Sequence, residues 1–262
     1  MAFTSYEFTY AGESSLSHGL MIYDIDNKGQ NDVSFGNTAD IIETRTNRRI
    51  QPLIFGVNYN KRSLEFKLVF GAMEPLDRYQ LEEVALWLTG YQTPQWLTID
   101  QPDLERLQFK CFITQLTPIS IGWLQYAFEA TVVCDCSYAY SYPFEKTYTI
   151  NGETEILFRN ESSVREYVKP NITFVPASGT TSLSIVNESD NDREFLLSGI
   201  PASTTVTVDN NNGIIRETVD NTNLYPGFNL KFFRLVQGDN HLVVTGNGTL
   251  TISGRFFHNV AG

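Results

Sequence analysis

The sequence predicts a mainly β protein in two parts: a first half of strands with a single helix, and a second half folded as a jelly-roll β-sandwich. Three observations carry this. Aromatic residues reach 13%, with 18 Phe and 13 Tyr against only 3 Met, a bias toward strand formers. One stretch, residues 75–89, has the apolar stripe of an amphipathic helix. From residue 146 onward, roughly ten short β-rich runs alternate with turn residues, and no helical stripe interrupts them. The 262 residues suit two domains, or one large all-β domain.

Along the first half, residues 3–10 alternate apolar and polar, and residues 20–25 form a short strand candidate. Residues 41–50 place Arg45, Arg48 and Arg49 among polar residues and read as an exposed strand or loop. Ser63 to Phe70 alternates cleanly, with Leu64, Phe66 and Leu68 on one face and Glu65 and Lys67 on the other. The helix follows, with Pro75 in its first turn, Asp77 close behind, and Leu76, Tyr79, Leu81, Val84, Leu86, Trp87 and Leu88 in its stripe. Thr89-Gly90 ends it. Residues 95–100 are a strand, and two long strands, 106–116 and 122–136, meet around Pro118. The Tyr-rich segment 137–144, containing Pro143, is the expected boundary, giving domains 1–142 and 143–262.

In the second half the expected strands are 146–150, 155–158, 169–174, 182–186, 194–197, 204–209, 213–218, 229–235, 241–245 and 249–253. Asn-Gly, Pro-Gly and Asn-rich turns separate them.

Thirty acidic and 19 basic residues give a net charge of −11, so a groove that grips nucleic acid by counterion release is not expected. The charge is −8 over residues 1–145 and −3 over the remainder. No apolar run is long enough to span a bilayer, and the first ten residues lack the basic and apolar regions of a secretory signal. Three cysteines, Cys111, Cys134 and Cys136, are too few for a disulfide scaffold, and Cys134-x-Cys136 reads as small apolar residues of a buried strand. His18, His241 and His258 are scattered. No phosphate loop, zinc-protease motif or nucleophile elbow occurs, so no catalytic residue, cofactor or metal is expected. Asp190-x-Asp192 is the one calcium candidate, without the downstream Gly and bidentate Glu of a calcium loop. Four Asn-x-Ser/Thr sequons begin at Asn160, Asn171, Asn187 and Asn247. Tyr167, Tyr225, Phe228, Phe232 and Phe233 are the aromatics a sugar-binding jelly roll would offer, and core packing is the better account of most of them.

Several stretches follow one another in a fixed order: the opening Phe3–Gly12 strand and turn, Glu43-Thr44-Arg45, Ser63–Phe70, and the helix to Trp87-Leu88 followed by Trp96–Asp103. Cys134–Tyr142, Leu197-Ser198-Gly199-Ile200-Pro201, Val206–Asp209, Phe228-Asn229-Leu230, Arg234–Asn240 and Val244–Ile252 complete the series. Taken in this order they resemble the distal tail proteins (Dit) of long, flexible-tailed bacteriophages of Gram-positive hosts. The resemblance spans essentially the whole chain. It implies an N-terminal β-sandwich or split-barrel-like domain with one helix that forms a homohexameric ring, and a C-terminal galectin-like sandwich outside it. It further implies a structural hub at the virion tail tip, assembled in the host cytoplasm, that joins the tail tube protein to a tail-tip protein. The tape measure protein and a receptor-binding protein are further implied partners; DNA passes through without specific binding, and no membrane is involved. Within such a ring, strand edges and the segment 44–60 are the expected contacts, with Arg45, Arg48 and Arg49 pairing with a neighbour's carboxylates. The competing reading is a carbohydrate-binding module of the tail tip.

Overall fold

A computed structural model of the chain describes residues 6–23, 38–44, 51–60, 63–102, 104–219 and 222–260. The chain divides into two compact units, Met1–Tyr140 with Asn259–Gly262, and Ser141–His258.

The first unit contains β1 (Phe8–Tyr10), β2 (Glu13–Ser14), β3 (Met21–Ile22), β4 (Thr38–Thr44), β5 (Leu53–Asn60), β6 (Glu65–Gly71), β7 (Gln95–Ile99), β8 (Leu107–Ile121) and β9 (Leu124–Cys134), and β10 (Ala139–Ser141) closes this run. Strands pair antiparallel in the order β2-β1-β7-β8-β9-β6-β3. The alternation of β6 is realised in full: Phe66, Leu68 and Phe70 are buried, Glu65 and Lys67 exposed, and Lys67 reaches Glu129 of β9 at 2.6 Å. Helix α1 (Arg78–Thr89) lies between β6 and β7 in the chain and buries Val84, Trp87 and Leu88. It begins at Arg78 rather than Pro75, because Asp77 and Gln80 form a reciprocal capping box that fixes the N-terminus there. Tyr79 and Leu86, assigned from sequence to the apolar stripe, face outward.

β4 and β5 form a two-stranded ribbon of their own, outside the main sheet. The sequence pattern hides β5, because Leu53, Ile54, Phe55 and Val57 do not alternate with polar residues.

The second unit contains β11 (Phe144–Asn160), β12 (Asn171–Pro176), β13 (Ser182–Asn187), β14 (Arg193–Ser198), β15 (Val206–Asp209), β16 (Ile214–Glu217), β17 (Gly238–Gly254) and β18 (Phe257–His258). β11 and β17 pair along their full length, from Phe144↔Gly254 to Asn160↔Gly238. The other edge of β17 is shared: Leu242–Thr245 pairs with β13, and Gly248–Ser253 with β12. One long ribbon thereby feeds both strand sets, β14-β13 and β12-β15-β16, around a core that includes Ile156, Phe174, Ile185, Val244 and Ile252.

This corrects four expected strands. Residues 146–150 and 155–158 are one strand, as are 241–245 and 249–253. Asn151-Gly152 lies within a strand and is not a hairpin turn; Gly152 has φ 70° and its N–H donates to Asn247 Oδ1 at 2.9 Å. Gly248 is required for a different reason: a Cβ there would collide with the Val175 carbonyl. The expected strand 229–235 is also absent. In its middle the backbone pairs with side chains instead, Lys231 N with Asn229 Oδ1 at 3.1 Å and Phe233 N with Asn210 Oδ1 at 2.9 Å.

Candidate assembly surface

The ribbon β4–β5 carries the most conspicuous surface of the first unit. Ile41, Ile42, Leu53, Ile54 and Phe55 are all exposed, Phe55 at 68% and Ile54 at 63%. Neighbours in a strand point to opposite faces, so Ile41/Ile42 and Ile54/Phe55 make both faces of the ribbon apolar. An isolated two-stranded ribbon is marginal in water, and one with two apolar faces needs a cover. Arg45, Arg48 and Arg49 belong to the connection between its strands and lie outside the described residues.

Two further apolar features lie on the same unit. Tyr79 and Leu86, seven residues apart, share the outward face of α1. At the tip of the β8–β9 hairpin, Gly122 and Trp123 both take positive φ, 59° and 75°, as a tight two-residue turn demands. Trp123 is 100% exposed there, flanked by the exposed Ile121 and Leu124.

The second unit answers the chemical candidates. Asp190 is not poised for calcium: Arg234 grips both its oxygens, Nε at 2.6 Å and Nη2 at 3.0 Å, and the carboxylate side chain is 2% exposed. The same guanidinium lies 3.8 Å over the Tyr167 ring. Asp192 sits in the turn beside it with φ 52°. Among the sugar-binding candidates, Phe228 and Phe233 are core residues, and the Tyr225 hydroxyl donates to Gly213 O at 2.9 Å. Sequon residues Asn160 and Asn187 are buried, and their amides donate to the Val236 and Arg234 carbonyls, so neither is open to glycosylation. Among the described residues, no three His, Cys, Asp or Glu side chains are arranged to hold a metal ion. No helix among them is long and apolar enough to cross a membrane.

Sequence reasoning missed three groups. Glu217 is buried, accepting from the Thr204 hydroxyl at 2.8 Å, Val219 N at 2.7 Å and Thr222 N at 2.6 Å, which ties down the loop after β16. The Arg234–Asp190 pair joins residues far apart in sequence, and nothing local announces it. Trp123 carried a signal in its Gly-Trp turn between two alternating strands.

No curated protein sequence matches the chain. Among solved structures, the Dit protein of phage SPP1, described as a paradigm of the hub adsorption apparatus in phages infecting Gram-positive bacteria, matches with a TM-score of 0.69. That match has 12% identity and covers 96% of this chain and 99% of that one. Chains of the phage p2 baseplate in its activated conformation also match. With Sr the TM-score is 0.51 at 11% identity, covering 95% and 97% of the two chains; with Ca it is 0.50 at 10%, covering 94% and 97%. At these identities the likeness establishes the fold, a Dit-like one. Family models describe the rest: a phage tail protein N-terminal domain matches residues 3–136 and a phage tail C-terminal domain matches residues 138–254. With both models in order along nearly its whole length, the chain belongs to this family of bacteriophage tail proteins.

Proposed function

We propose that this tail protein is a distal tail hub. Copies assemble through the first unit into a homohexameric ring at the virion tail tip, joining the tail tube protein to a tail-tip protein and letting DNA pass. The observation that carries the reading is the β4–β5 ribbon, apolar on both faces and separate from the main sheet of the first unit. A second copy is the natural cover, because the ribbon's connection holds three arginines and no acid in a chain of net charge −11. A patch on one copy that fits a different patch on the next generates a ring when the rotation closes. Net negative charge also suits a conduit that DNA traverses without sticking. The role is structural.

Light scattering coupled to size-exclusion chromatography tests this directly. The chain should run as a hexamer, and Ile54→Lys with Phe55→Glu should release monomers whose thermal melt is otherwise retained. Reversing Arg45, Arg48 and Arg49 to Glu should weaken the ring in a salt-dependent way. A hexamer indifferent to both variants removes the ribbon from the interface, and a strict monomer at high concentration removes the ring.

A further inference from the structure

Cys111 in β8 and Cys134 in β9 are direct cross-strand partners. Their backbones form the non-hydrogen-bonded type of pair. Cys134 N turns away to Leu64 O at 2.8 Å, while the next residue, Asp135, donates to Lys110 O at 2.9 Å. In such a pair the Cα atoms stand about 4.5 Å apart, closer than in the hydrogen-bonded type. That separation falls inside the range a disulfide spans, at its short end. Both side chains point into the same core, Cys111 fully buried and Cys134 nearly so. Cys136, beyond the strand end, is engaged elsewhere: its thiol donates to Tyr138 O at 3.2 Å.

We propose that Cys111 and Cys134 are a convertible pair, a dithiol in the reducing cell and a cross-strand disulfide once the virion protein meets an oxidising medium. The balance is simple thiol–disulfide exchange. Two thiols give up two protons and two electrons to a small-molecule disulfide, one S–S bond forms in the sheet, and the oxidant leaves as two thiols. The neighbouring Cys111 thiol and burial hold the Cys134 thiol far above its ordinary value, so attack awaits local opening. Cys134 is the last residue of β9, where such opening costs least. The bond closes the root of the β8–β9 hairpin, whose far end carries the exposed Trp123, and so fixes the base of that projection.

Purified full-length chain incubated with excess oxidised glutathione, then denatured and alkylated, reads the result. The expected product loses two hydrogens in mass, takes up one alkyl group instead of three, and yields a peptide joining Cys111 to Cys134. The Cys136→Ser variant should form the same bond, and its melting temperature should rise on oxidation and fall back with a reducing thiol. Three alkylatable cysteines after prolonged oxidation at a temperature that permits opening would overturn the proposal. A bond that includes Cys136 in place of either partner, or one that lowers the melting temperature, would overturn it as well.

Discussion

Trp87 does three separate jobs from one position on α1. Its ring stacks on Phe8 at 5.7 Å and on His18 at 4.2 Å, and its indole N–H donates to the Tyr10 carbonyl at 3.2 Å. His18 in turn sits between Glu13 at 3.1 Å and Glu83 at 3.7 Å, so the stack ties the turn after β2 to the helix. Trp87→Ala should lower stability by about 3–5 kcal/mol, read as the shift in urea midpoint, and Trp87→Phe should recover much of it. His258 supplies a pH test in the second unit. Burial pushes its imidazole below the ordinary value, and the Glu161 carboxylate offsets part of that. The folded state therefore holds the neutral ring while the unfolded chain takes up a proton. Stability is intact above the ordinary imidazole pKa of about 6.5 and is lost as pH falls from there, levelling off below the lower folded value. The difference in melting temperature between the parent chain and His258→Gln should open across that window. A constant difference from pH 8 to pH 5 would count against the assignment.

Elements were legible where pattern and environment agree, and illegible where one chain segment serves two environments. β6 alternates because one face is buried, as does β9 from Phe128 to Cys134, and the part of the α1 stripe that is buried, Val84, Trp87 and Leu88, is legible for the same reason. The described side chains of the β4–β5 ribbon, Ile41–Thr44 and Leu53–Gly56, are not buried on either face, so there is no alternation to read, and Arg45, Arg48 and Arg49 were visible only as charge. β11 and β17 were split in two because Asn151-Gly152 and Gly246-Asn247-Gly248 have hairpin-turn composition, whereas here they lie within a continuous ribbon. The glycines of that ribbon make a prediction at their own scale. Gly248 has φ 146°, a region L-residues avoid, and no room for a Cβ against the Val175 carbonyl. Gly248→Ala should cost about 2–3 kcal/mol through strain plus displacement of β12. Gly179 also has positive φ, 83°, but faces open space, so Gly179→Ala should cost only about 1 kcal/mol. Equal effects at the two sites would show that conformation alone matters and that the close approach of β12 does not.

At the scale of the whole molecule, the sequence reading ended the first domain at residue 142 and assigned everything after it to the second. The chain instead comes back: after β18, Val260 is buried in the core of the first unit, alongside Phe8, Leu97 and Phe109. Local pattern could not reveal this, because two apolar residues near a terminus have no period. The two units have separate cores, so calorimetry of the full chain should resolve two unfolding transitions. The segment 141–258 produced alone should melt cooperatively at the temperature of one of them. A chain ending at His258 then discriminates between the units. It loses the Val260 side chain from the first core and leaves the second complete. The first unit's transition should fall by the worth of one buried valine, about 1.5–3 kcal/mol, while the second stays in place. Val260→Ala in the full chain should reproduce part of that fall. A truncation that shifts both transitions equally would mean the units unfold as one, and one that shifts neither would mean Val260 contributes nothing to the core it occupies.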